Sequence, residues 1–205
     1  HKGDFLGSVS TFNYIARHYA NDADMVARCQ LWTARAYAEM GWLYEAEDAL
    51  NKVQVDNLSR KHAPLYSSVS ADILLKTKHY KEAIPFIKIA LPEESKKGNR
   101  PRFQYVLAQL YQHLGEREEA RMAYTKVLKM QPSNEMDFNA RLRLAQLTKS
   151  TADGVKQLTK MAKLDKNKDV LDQIYGAIGD IYLAQNDTAK ALQNYELAIE
   201  KSTQN

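Results

Sequence analysis

The sequence predicts an all-α protein, and within that class a right-handed α-solenoid of about five and a half helix-turn-helix repeats. Three observations carry the expectation. Glycine (8) and proline (5) are scarce in 205 residues while Ala, Leu, Lys, Glu and Gln abound, which favours helix because straight-chain side chains lose little rotamer freedom there. A content of 44% hydrophobic and 26% charged residues is that of a chain that folds rather than one that stays disordered. One arrangement of small residues also recurs along the chain, and such a period marks stacked supersecondary units.

The recurrence starts from small residues that stand three places before a Tyr or its equivalent: Ala34, Ala71, Ala108, Ala145 and Gly179, at spacings of 37, 37, 37 and 34. Twelve residues on from all but the fourth comes another Ala, at Ala46, Ala83, Ala120 and Ala191. Four further on sits a larger residue, Leu50, Ile87, Tyr124 or Tyr195, and three beyond that a small or β-branched one, Val53, Ala90, Val127 or Ala198. The reason is packing: two antiparallel helices joined by a short turn approach closely only where small side chains meet at the crossing. Gly41 in GWLYEAEDAL and Gly115 in LGEREEARMAY occupy two of the turns.

The fourth unit, from about Phe138, departs from the pattern. It has Thr148 in place of Tyr and the turn TKSTADG, so its second helix is expected to start early. Pro64, Pro101 and Pro132 fall at unit edges, where a missing N–H costs least; Pro85, inside KEAIPFIKIAL, is expected to bend its helix. HKGDFLGSVSTFNYIARHYAND reads as the second half of a unit, with Gly3, Asp4 and Phe5 in the turn and Phe12 as the large core residue. Because a repeat buries its apolar face against its neighbours, residues 1–205 are expected to form one repeat domain cut from a longer array, with apolar surface at both ends.

The third unit, PRFQYVLAQLYQHLGEREEARMAYTKVLKMQP, resembles the tetratricopeptide repeat: Ala108, Tyr111, Gly115, Ala120, Tyr124 and Pro132 match its small, Tyr, Gly, Ala, aromatic and Pro positions. Spacings above that repeat's usual length are assigned to loops between units, VDNLSRK and PEESKKGNR. EMGWLYEAEDAL, KHYKEAIPFIKIAL, RFQYVLAQLYQHLGE, NEMDFNARLRLAQL and LDKNKDVLDQIYGAIGDIYLAQNDTAKAL further resemble the long SprE/PorW-type tetratricopeptide lipoproteins of the Bacteroidota, from about Phe12 to Ser202. That resemblance implies a periplasmic, outer-membrane-associated protein, anchored by lipid outside this chain. It also implies a connecting or scaffolding part in gliding motility or type IX secretion.

The net charge of +4 and pI near 9.0 are spread, with Lys and Arg mixed among Asp and Glu as in KHYKEA and GEREEAR. Mixing of this kind marks solvated helix faces, so nucleic acid is not expected as a partner; a nucleic-acid-linked or signalling repeat regulator with a basic groove stands as the alternative function. The single cysteine, Cys29, excludes an internal disulfide or CxxC metal pair and is expected to be a small buried residue. His1, His18, His62, His79 and His113 show no metal-ligand spacing, and GxSxG, GxGxxG and GxxxxGK[ST] do not occur. Catalysis, metal and cofactor are therefore not expected. Trp42 is expected to cap the seam of the first unit, and Trp32 to meet the adjoining unit.

What the repeat resemblance does imply is a concave face lined by the first helix of each unit. Transfer by position puts Arg28, Arg35 and Glu39, Asp72 and Lys76, Arg102, Tyr105, Gln109 and Gln112, Arg143 and Gln146, and Asp180 on that face. Arginines and glutamines in succession suit an extended peptide or other protein partner, amides meeting backbone groups and guanidiniums meeting carboxylates. The same side chains can also be read as solvated residues or as contacts to neighbouring helices. Chaperone-tail clamps of this repeat carry Asn where Arg35 and Asp72 stand, which argues against that ligand.

Overall fold

Seven residues after the small residue of its first helix, each of four hairpins turns through a left-handed residue: Gly41 (φ 76°), Lys78 (64°), Gly115 (77°) and Asn186 (60°). The residue after it donates its N–H back to the carbonyl five places earlier, Trp42 to Tyr37 (3.0 Å), His79 to Leu74 (2.8 Å), Glu116 to Tyr111 (2.9 Å) and Asp187 to Tyr182 (3.0 Å). This C-terminal cap satisfies a carbonyl that the ending helix would leave open, and glycine enters the left-handed region without a Cβ penalty.

A computed structural model describes residues 3–94 and 98–202; His1 and residues 95–97 of the PEESKKGNR loop fall outside that span. Among the described residues there are eleven α-helices and no strand. Helix α1 (Phe5–His18) stands alone, and the hairpins follow: α2 (Ala23–Glu39) with α3 (Leu43–Asn51), α4 (Ala63–Lys76) with α5 (Tyr80–Glu93), and α6 (Asn99–His113) with α7 (Arg117–Lys129). Then come α8 (Asn134–Gln146) with α9 (Thr151–Ala162), and α10 (Leu171–Leu183) with α11 (Thr188–Ser202). Gly3 (φ 98°) and the N-cap Asp4, whose carboxylate accepts the Gly7 N–H at 2.8 Å, precede α1 as the other turns precede second helices. Helix α1 is thus the second half of a unit.

The chain divides into two compact units, residues 1–103 and 104–205. In the first, α2 packs on α1, α3 and α4, and α4 on α5; Leu31, Ala34, Ala46, Val69 and Ile73 are buried at its centre. In the second, α8 packs on α7, α9 and α10, and α10 on α9 and α11, around Leu142, Ala145, Leu158, Ile174 and Ile178. The recurrent small residues are buried in both, as close crossing demands.

The fourth hairpin closes differently. Helix α8 ends one residue after Ala145, the turn has no left-handed residue, and Ser150 caps α9 by accepting the Asp153 N–H at 3.2 Å. Second helices begin nine residues after the first small residue in the other hairpins and six after it here. The small residue of α9 is consequently Gly154, with Leu158 as the large one and Met161 after it, all three buried. A Cβ on Gly154 would lie 2.7 Å from the Ala145 carbonyl oxygen, so the short turn brings the backbones closer than alanine permits.

Two expectations change. The extra residues after α3 go into the linker before α4, but Pro92 and Glu93 of PEESKKGNR belong to α5 and its Asn99 and Arg100 to α6, and only Met130–Ser133 link α7 to α8; there the surplus lengthens the start of α8, which begins eleven residues before Ala145. Helix α5 continues through Pro85 and Pro92; Pro85 and Lys81 are both exposed, which leaves the Lys81 carbonyl open to water. Phe12 is half-buried, stacked on Trp32 at 6.4 Å rather than sealed in a core. Trp42 stacks on Tyr37 at 5.9 Å, and so covers its own hairpin.

Candidate functional site

In the first unit, most of the predicted face is tied up internally. Lys76 Nζ donates to Asp72 (2.9 Å) and to the Ala38 carbonyl (3.1 Å), and stands 3.9 Å from Glu39. A cation there meets the negative end of α2, so Asp72 and Lys76 clamp α4 to α2. Arg28 is half-buried beside Asp24 at 3.4 Å. The Arg35 guanidinium lies 5.3 Å from the centre of the Trp32 ring, within cation–π range. Arg35 and Arg102 are exposed and unpaired with a carboxylate among the described residues, which leaves their forks open to an incoming anion.

The second unit brings the predicted residues together. Arg143 Nη1 donates to Gln146 Oε1 at 3.0 Å, Gln146 Nε2 donates to Asp180 Oδ2 at 2.9 Å, and the Tyr195 hydroxyl donates to Asp180 Oδ1 at 2.9 Å. At the other end burial pushes the Tyr105 phenol up, against the pull of the neighbouring Arg143 guanidinium. The Tyr105 ring meets Tyr124 edge to face at 5.4 Å, and the Tyr124 hydroxyl donates to Gln112 at 2.9 Å. One polar chain, Arg143–Gln146–Asp180–Tyr195, therefore runs across α8, α10 and α11, with Tyr105 of α6 beside its Arg143 end. Both Asp180 oxygens are taken, whereas exposed Arg143 retains donors, and Gln109, the register equivalent of Gln146 one hairpin earlier, is exposed. Such a surface can receive carboxylates and backbone carbonyls.

Position alone singled out Tyr105, Arg143, Gln146 and Asp180, but not their mutual bonds. Tyr195 was read as packing and turns out to hold Asp180 as well. Buried Gln104, whose Nε2 donates to the Ala123 carbonyl at 3.3 Å, was missed; the only signal is an amide among the apolar positions of its helix.

One serine, histidine and aspartate do meet. Asp24 Oδ1 accepts the Ser59 N–H at 2.8 Å and faces His62 Nδ1 at 3.2 Å, while Ser59 Oγ faces the same Nδ1 at 2.9 Å. A nucleophilic relay needs serine and acid on opposite ring nitrogens. With one nitrogen facing both, the cluster is a clasp that ties the linker after α3 to α2. The Ser59 backbone N–H is the main cause holding the Asp24 carboxyl down at about 2, helped by His62. Burial pushes the Cys29 thiol up, as for an unreactive core residue. Among the described residues no three His, Cys, Asp or Glu side chains converge as a metal site, and no helix is long and apolar enough to cross a membrane.

Hairpins of this kind define a helical-repeat protein. The Tetratricopeptide repeat-like domain family matches residues 93–205, more than half of the chain, and the chain belongs to that family. Among solved structures it is similar to YrrB, described as a TPR protein with an unusual peptide-binding site (17% identity, 94% of this chain and 92% of that one, TM-score 0.63). BtubC (BKLC) from P. vanneervenii is similar at 16% identity over 97% and 88% of the chains with TM-score 0.61. A putative kinesin light chain of Podosopora anserina with TPR-like repeats shares 18% identity over 86% and 95%, with TM-score 0.60. At these identities the likeness is one of fold. No curated protein matches the chain in sequence.

Proposed function

We propose that the chain is a non-catalytic protein–protein interaction scaffold that holds an extended segment of a partner along its first-helix faces. The polar chain from Arg143 to Tyr195 carries the reading. Its carboxylate and amides are spent on holding one another, which fixes the Arg143 guanidinium in place with donors to spare, and a pre-fixed fork loses little freedom on binding. Gln109 in the same unit supplies a further donor, and Arg35 and Arg102 offer exposed donors on the first unit's own face. The peptide-binding site named for YrrB is in keeping with this use of the fold.

The resemblance to SprE/PorW-type lipoproteins supports a finer reading: a periplasmic, outer-membrane-associated part of a gliding or type IX secretion assembly, anchored by lipid outside this chain. Affinity capture from cells with the full-length protein tests the first reading. Reversing Arg35, Arg102 and Arg143 to Glu should release partners that a Lys126→Glu control retains; retention in both ends the groove reading. Cell fractionation tests the second. Recovery in the cytoplasm removes the envelope role and leaves the scaffold standing, while steep salt-dependent binding of DNA or RNA would favour a nucleic-acid-linked regulator instead.

A further inference from the structure

The second unit also contains a cavity of about 570 Å³ that shares no residue with the polar chain. The chain uses the C-terminal end of α8; the cavity opens beside the N-terminal half of that helix, walled by the end of α9, the linker 163–170 and the start of α10. Its size is that of a side-chain or small-ligand site. Phe138, Met161, Leu164 and Val170 supply apolar lining. Leu164 is 47% exposed in the linker KLDKNKDV, otherwise almost wholly polar, and gains nothing there from the core.

The wall is built rather than loose. Asn167, buried to 5% exposure, donates from Nδ2 to the Met161 carbonyl at 2.8 Å, and its N–H donates to the Leu164 carbonyl at 2.9 Å. These bonds fasten the short 3-10 helix Asp165–Val170 to the end of α9. Charge at the rim is lopsided. Asp137 is taken by Arg141 through two bonds, 2.8 and 3.0 Å, and its carboxyl is held down by that guanidinium first and by Lys166 among lesser causes. What remains is Glu135 against Lys160 and Lys166, neither paired with a carboxylate among the described residues.

We infer that this cavity docks an acidic peptide segment, with one bulky apolar side chain seated on Phe138, Met161, Leu164 and Val170 and flanking carboxylates facing Lys160 and Lys166. The site goes beyond the first-helix face and does not depend on it. A fluorescein-labelled Glu-Asp-Phe-Asp-Glu peptide, titrated with the whole chain and followed by anisotropy, should bind saturably. Binding should weaken about tenfold when Lys160 and Lys166 are both changed to Glu, and comparably for Leu164→Asp, each lost contact being that of an exposed pair or apolar side chain. The same charge change at Lys126 and Lys129 on α7, away from both surfaces, should leave it intact. Circular dichroism of each variant monitors the fold, all substituted residues being exposed. Equal binding of Glu-Asp-Ala-Asp-Glu, equal loss in the Lys126/Lys129 variant, tighter binding of a labelled oligothymidylate, or no binding at all would each overturn the inference.

Discussion

The third and fourth hairpins, neighbours in sequence, solve one packing problem with different turns. The third closes through left-handed Gly115 and buries Ala108 and Ala120; the fourth omits three residues, caps α9 with Ser150 and brings Gly154 against the Ala145 backbone. From the small residue of each second helix to that of the next first helix the interval is nevertheless 25 every time, from Ala46 to Ala71, Ala83 to Ala108, Ala120 to Ala145 and Gly154 to Gly179. Turn length within a hairpin is therefore negotiable, while the register from one hairpin to the next is kept. That follows if repeats are stabilised chiefly by covering their neighbours.

Truncating the large residue of each second helix tests whether the shortened hairpin is packed as tightly. Leu158 and Tyr124 are both fully buried. Leu158→Ala should cost about 2–5 kcal/mol and Tyr124→Ala about 3–5 kcal/mol in denaturant unfolding. A cost below about 1 kcal/mol at Leu158 would mean that α9 is only loosely seated. Next comes the glycine. Gly154→Ala drives a Cβ against the backbone carbonyl of Ala145, 2.7 Å away, and should cost about 1–3 kcal/mol as overpacking. Gly176→Ala on α10 meets nothing within 4 Å and should instead stabilise by about 0.5–1 kcal/mol through helix propensity. Like effects at the two positions would break the close-approach account.

These cases also show what was legible beforehand. Small residues at a helix crossing leave a mark in sequence because no other side chain fits, so the all-α repeat and the half unit before Ala23 could be read from spacing. Gly154 escaped because the count ran forward from Ala145; counted back from Gly179, the interval of 25 identifies it. The candidate face was legible as a set of positions, yet its pairings were not. Whether Gln146 reaches Asp180, or Lys76 reaches the Ala38 carbonyl, depends on rotamers and helix offsets across 34 and 38 residues. The cavity beside α8 was invisible, since its wall is an irregular linker without periodicity and its key bond is one buried amide.

The two kinds of turn differ in how single substitutions should act. Gly115→Ala keeps the turn but forces a Cβ into the left-handed region at φ 77°, at about 1–2 kcal/mol. The fourth turn has no such residue, and its weak point is the cap, where Ser150→Ala should cost about 1 kcal/mol in the same unfolding measurement. If Ser150→Ala proves the costlier of the two, the shortened turn leans on its cap more than geometry indicates.

The linkers after the first and fourth hairpins extend the contrast, since each is held by one side chain and only one of the two titrates. Asp24 grips the Ser59 N–H and His62, and its carboxyl drops from 3.8 to about 2 in the folded chain; Asn167 grips the Met161 carbonyl and has no proton to exchange. Because folding favours the ionised Asp24, its contribution is complete above the unfolded value and is lost as pH falls through the folded one. The unfolding midpoint of the native chain should therefore exceed that of Asp24→Asn at pH 5, and the gap should close as pH falls from about 4 to about 2. Asn167→Ala should lower the midpoint by the same amount throughout that range, apart from the fall common to every variant. A gap for Asp24→Asn that ignores pH would show that shape, and not charge, closes the first clasp, and the two linkers would then be held alike.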